Sequence, residues 1–170
     1  MDFAACQEQL RQNGDLIRQL VADITEAQAK LKPSPGDWSI LEVLNHLYDE
    51  EREDFRQRLD YILHHPGEPW PPTDPQGWVT SRQYNARDLS SSLQNFLDER
   101  QKSLAWLASL DHPSLDQTET HPVMGDFQAG DMLGSWVVHD ILHLRQLIEL
   151  KHFLLEALVR PYDTRYAGEW

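Results

Sequence analysis

Phe3, Leu10, Ile17, Ile24 and Leu31 fall on every seventh position, with Cys6, Leu20 and Ala27 on a companion seam. Such a stripe belongs to a helix packed in a bundle. It predicts one helix from Phe3 to Leu31, interrupted only by Asn13-Gly14. Lys32-Pro33-Ser34-Pro35-Gly36 ends it, because proline lacks the amide hydrogen and clashes with the preceding turn. A second stripe follows in Ile40, Val43, Leu44, Leu47, Tyr48, Phe55, Leu59 and Ile62. Ser39 and Glu42 have the spacing of a capping box, so this helix starts at Ile40 and runs to about Leu63. Leu89, Leu93, Phe96, Leu97, Leu104, Leu107 and Leu110 mark a third helix capped by Asp88, with Arg100 interrupting the stripe, either to snorkel or to pair with an acidic neighbour. The fourth and longest spans Gly130 to Leu158, with Asp131 as its expected cap and no proline inside.

The connectors carry their own signals. His64 to Gly77 is rich in proline yet holds Trp70, with Trp78 just beyond. Two tryptophans argue for an ordered crossover packed on the bundle, not a flexible linker. Trp78 to Tyr84 reads as a short helical lead-in. Asp111 to Gly130 has breakers at Pro113, Pro122 and Gly125, and room for a short hairpin. The aromatic tail Tyr162 to Trp170 is expected to fold back onto the body. The sum is an all-α protein: a four-helix bundle with long crossover connections, one domain over residues 1–170. In up-down-up-down order its second and fourth helices run parallel.

Composition narrows the function more than the fold. A formal charge of -13 over 170 residues opposes binding to phosphate backbones and anionic lipid, so neither nucleic acid nor a membrane is an expected partner. Cys6 is the single cysteine, which excludes an internal disulfide, and its place on the seam reads as core packing. No apolar run is long enough to span a bilayer. Met1-Asp2-Phe3 lacks the basic flank of a signal peptide, so cytoplasmic residence is the default expectation.

The chemistry concentrates in His139-Asp140-Ile141-Leu142-His143. Residues four apart are neighbours on a helix, so both imidazoles could reach one ion. They share a sector with Met132, Trp136, Leu147 and Leu150 and so point inward. Two core histidines bonded to carboxylates or carbonyls would give the same pattern. His46, at the edge of the second stripe, could reach their level if the second and fourth helices are parallel. Three neutral imidazoles would leave open positions on an ion, as catalytic sites do. Glu50, one turn beyond His46, is the best residue for proton transfer, or else one more solvated carboxylate. Gln146 could orient a ligand or simply end a polar face. Asp140 reads as a surface group or a support for a ligand, and it is too short and too far around the helix to act as the base of an HExxH protease. A di-iron carboxylate site would need Glu-x-x-His on two helices, whereas Val43 and Trp136 stand three residues before His46 and His139, and only the shorter Asp140 before His143. His121 lies in a connector that could cover the site, while His64 and His65 sit at a helix end where histidines are common.

Trp38-Ser39-Ile40-Leu41-Glu42-Val43-Leu44-Asn45-His46-Leu47, followed by His139-Asp140-Ile141-Leu142-His143-Leu144-Arg145-Gln146-Leu147, resembles the DinB/YfiT-like superfamily. The closing Tyr166-Ala167-Gly168-Glu169-Trp170 is similar to the tail of many members. The resemblance implies a four-helix bundle holding a divalent metal ion on His46, His139 and His143, with zinc or nickel foremost and iron or manganese as further options. It also implies a homodimer. A small-molecule substrate follows from it too, either in a transferase that uses a low-molecular-weight thiol or in a metal-dependent hydrolase. A non-enzymatic, stress-linked metal-binding or interaction module on the same bundle is the alternative.

Overall fold

The computed structural model describes residues 1–168. Four long helical segments form the bundle: α1 (Phe3–Val21), α3 (Ile40–Glu50) running on into α4 (Arg56–His64), α6 (Leu89–Ser109) and α7 (Ala129–Leu158). Short pieces fill the connections, namely α2 (Glu26–Ala29), α5 (Pro75–Ser81) and a hairpin of β1 (Thr118–His121) with β2 (Gly125–Gln128). The Ser39/Glu42 capping box forms in both directions.

The helix order differs from the simple one. Asn13 meets Asp140 at 3.2 Å and Lys151 reaches the Leu20 carbonyl, so α1 and α7 run parallel. His46 meets His139 while Glu51 meets Trp136, so α3–α4 runs antiparallel to α7. Asn45 bonds Ser92 and Arg56 bonds Ser103, so α3–α4 and α6 are parallel. The bundle is therefore up-down-down-up, with α6 and α7 each packed against both α1 and α3–α4. This topology explains the length of the Pro-rich crossover. Two successive parallel helices oblige the chain to travel back along the bundle before starting again. Trp70 anchors that return by donating its indole N–H to the Thr120 carbonyl at the hairpin.

Four local expectations are corrected. The first helix stops at Val21 instead of continuing to Leu31, because Thr25 and Gln28 form a capping box that starts α2. The cap of α7 is Gln128, and Asp131 stands at the third helical position as its reciprocal partner. The lead-in helix begins at Pro75, capped by Asp74, and not at Trp78. The tail does not pack: Tyr162 is 81% and Tyr166 104% exposed, while Glu169 and Trp170 lie outside the described residues.

Between α3 and α4 the helix widens into a single π-helical turn over Glu51–Phe55. One extra residue in a turn shifts the phase of all that follows, and such turns concentrate at functional sites. Here it leaves Glu50, Glu51 and Phe55 buried together, beside the histidines of α7.

Candidate metal centre

His46 sits six residues into α3, beneath Trp38, whose ring lies 4.8 Å from its imidazole. His139 and His143 stand midway along α7, one turn apart. The antiparallel approach of these helices, not a parallel one, brings the three rings together. Nε2 of His139 lies 3.4 Å from Nε2 of His46 and 3.1 Å from Nε2 of His143. One ligand atom from each lies within 4.8 Å of the others.

Burial sets their protonation. Desolvation drives His46 down to about 2 and His139 to about 3, helped in each case by the positive charge that neighbouring groups carry or would carry. His143 is lowered for the same first reason. All three are neutral at pH 7, the form that binds metals. His143 donates Nδ1–H to Gln146 Oε1 at 2.8 Å, which leaves its Nε2 lone pair facing the other two rings. Gln146 thus holds the His143 ring through this hydrogen bond. Nδ1 of His46 is buried without a partner.

His143 Nε2 carries a lone pair, and with the protons of His46 and His139 on Nδ1 all three Nε2 lone pairs would face one shared cation. Nitrogens bound to one zinc-like ion at 2.0–2.1 Å in tetrahedral geometry stand about 3.3 Å apart, close to the 3.4 and 3.1 Å separations here, with the third pair within 4.8 Å. The surrounding charge agrees. Arg100 is 2% exposed and bonds Glu51 through Nε and Nη2 and Asp140 through Nη1 and Nη2, at 2.8–2.9 Å. Two buried carboxylates therefore share one guanidinium, leaving one negative charge in excess beside the imidazoles. A cation held by the histidines would balance it, and burying an unbalanced charge is costly. The three residues fit a divalent ion.

The sequence did not reveal this ion cluster. Asp140 is 1% exposed, not a surface group. Asn13 and Trp136 supply two further donors to its carboxylates. Two signals were present: Arg100 interrupts one apolar stripe and Asn13-Gly14 interrupts another. The two interruptions meet, since a Cβ on Gly14 would come within 3.4 Å of the Arg100 side chain.

The histidines open onto a cavity of about 830 Å³ lined by Trp38, Glu50, Gln76, Arg145 and Glu149 among others. Glu50 is 4% exposed, and its Oε1 has no hydrogen-bond partner. Desolvation, with repulsion from Asp54 and Asp49 outweighing Arg58, raises its pKa to about 8. It is therefore a neutral acid at pH 7, not a solvated carboxylate. His121 does not join this group. It closes the β-hairpin instead, against Arg58. His64 and His65 are exposed and pair with Asp60 and Glu68.

Comparison with known proteins agrees with this architecture. The sequence pattern of the DinB superfamily matches residues 9–147. Over 136 residues, 79% of this chain and 77% of the relative, the chain is 26% identical to an Oceanobacillus iheyensis protein named as a candidate metal-dependent hydrolase. Among solved structures it is similar to Bacillus subtilis YfiT, described as a probable metal-dependent hydrolase with an unusual four-helix bundle topology. The TM-score is 0.78 at 21% identity, over 89% of this chain and 87% of that one. The chain belongs to the DinB superfamily.

Proposed function

We propose that this DinB-superfamily protein is a metal-dependent enzyme of the hydrolase type acting on a small molecule, with His46, His139 and His143 as the ligands of one divalent ion, zinc or nickel. The observation that carries this reading is the convergence of three neutral imidazoles at the floor of an open cavity beside a protonated Glu50. Three ligands leave coordination positions free, whereas closed four-ligand sites are structural. When bound, the ion supplies a Lewis acid and lowers the pKa of water.

The chain's own residues supply the rest. Glu50 holds a proton up to pH of about 8 and can pass it to a leaving group, or take one once a nearby cation lowers its pKa. Gln146 fixes the tautomer of His143. Trp38 and Phe55 pack on the imidazoles, limiting water to the cavity side. A low-molecular-weight thiol is the other reactant the open positions could accept. None of the cavity-lining residues is a cysteine, so that thiol would have to be a co-substrate.

The reading extends to one domain over the chain and to a homodimer. Support for the dimer is the outer face of α7, where Val138, Ile141, Ile148 and Leu155 are 43–58% exposed at helical spacing. An exposed apolar face of this kind, interrupted by Arg145 and His152, supports an interaction surface.

Metal analysis of tag-free protein, followed by hydrolysis of an ester and amide panel, tests the proposal. One equivalent of divalent ion per chain and turnover lost in Glu50→Gln with the ion retained are expected. Metal content unchanged in His46→Ala would overturn the ligand assignment.

A further inference from the structure

A second cavity of about 490 Å³ lies between the Pro-rich crossover, the β-hairpin and the start of α7. Its walls are largely apolar, with Phe55, Trp70, Phe127 and Met132 among them, but Asp54, Arg58 and His121 also line it, and the last two are in contact on one wall. Arg58 is 9% exposed. It forms an ion pair with Asp54 through Nε and donates from Nη2 to Thr73 Oγ1 and the Pro71 carbonyl. Trp70 lies against its guanidinium, 5.3 Å from the ring centre.

The remaining contact of Arg58 is anomalous. His121 Nδ1 accepts hydrogen bonds from the backbone N–H groups of both Val123 and Met124, each at 3.1 Å. That nitrogen must carry the lone pair, so the proton of the neutral ring is on Nε2. Nε2 lies 3.2 Å from Arg58 Nη1, which is also a donor and never an acceptor. Two N–H groups therefore confront each other with no acceptor between them. Both nitrogens are tied at their other atoms, His121 by the hairpin turn and Arg58 by Thr73, so neither can turn away without breaking those bonds.

We propose that this cavity is a binding site for a small carboxylate with an apolar body, the carboxylate accepting from Arg58 Nη1 and His121 Nε2 and the body resting on Trp70 and Phe127. An anionic acceptor resolves the donor–donor contact and gains charge-assisted bonds. A monoanion suits the site better than a phosphate dianion, because Asp54 already neutralises part of Arg58 and the chain's formal charge is -13. The site stands apart from the three histidines and does not depend on the metal reading. An intervening hollow shares Phe55, Phe127 and Ser135 with it and His139 with the metal cavity.

Titration of the protein with 4-phenylbutyrate, followed through the Trp70 indole N–H resonance (assigned with Trp70→Phe), tests the site. A saturable shift is expected, absent with the uncharged 4-phenylbutanol and weakened about tenfold or more in His121→Ala through loss of a charge-assisted bond. Arg58→Lys, which keeps the charge but loses the fork, should weaken it as well. The shift must persist in His46→Ala, since a carboxylate can also ligate a metal. No shift, an equal response to the alcohol, full affinity in His121→Ala, or loss of the shift in His46→Ala would each overturn the proposal.

Discussion

Arg100 of α6 and Asp140 of α7 form a two-pronged ion pair in the middle of the bundle, at 2.8 and 2.9 Å, one residue away from His139. The same guanidinium holds Glu51 in the π-helical turn and the Leu10 carbonyl of α1. One side chain thus touches all four helical segments at the level where the histidines meet. It fixes the rotation of α7 about its own axis, and with it the direction in which His139 and His143 point.

Truncating that side chain leaves two carboxylates buried without a counter-charge. Arg100→Met should cost about 3–5 kcal/mol, the usual penalty for breaking a buried pair, read from urea unfolding of the metal-free protein. Asp140→Asn should cost less, because Glu51 keeps its partner and the amide can still accept from Asn13. Equal stability of Arg100→Met and wild type would show that the cluster contributes nothing to the fold.

Metal affinity should depend on Gln146 as well as on the three ligands. Removing the group that orients a ligating imidazole commonly costs about 10–100-fold in affinity. Gln146→Ala is expected to show such a loss in chelator competition while folding normally. An ion that binds only the folded state should also raise the thermal midpoint, and chelator should reverse the gain.

Glu50 makes the metal-free protein's stability fall as pH rises. The folded carboxyl titrates at about 8 against an ordinary value of 4.5, so between those values the folded state holds a proton that the unfolded chain has lost. Its contribution is fully present below pH 4.5, declines with a slope of up to about 1.4 kcal/mol per pH unit, and is gone above pH 8. Denaturation curves of wild type and Glu50→Gln across that window should converge at low pH and diverge as pH rises, with the glutamine variant the more stable.

A charge on the outer face of α7 should separate the dimer proposed above. Ile148→Glu and Ile141→Asp are expected to give monomers by sedimentation or light scattering with unchanged helix content, since both side chains are about half exposed. A wild-type protein that is already monomeric at high micromolar concentration would remove the proposal.

The sequence by itself determined the elements. Heptad and 3–4 spacing located four amphipathic helices, Ser39/Glu42 and Asp88 placed two of their starts, and the proline and glycine clusters placed the breaks other than the one after Val21, where the Thr25/Gln28 capping box starts a new helix. It also supplied the three histidines that meet in space. These are readings of local chemistry, because a stripe or a cap is decided within a few turns. Tertiary structure alone decided which helices neighbour each other and in which direction. A stripe states that a face is buried but not what covers it, so up-down-up-down and up-down-down-up predict the same pattern. The buried charges escape a purely local reading for the same reason. Arg100, Asp140 and Glu51 are separated by 40 to 49 positions from their partners, and a charge is stable in the core only once those partners arrive. The tail shows the converse: Tyr162 and Tyr166 are apolar enough to pack, yet both stand exposed in the described structure. Glu50 belongs with the buried charges, since only the packed bundle removes it from water and turns a surface-like carboxylate into an acid beside the three imidazoles.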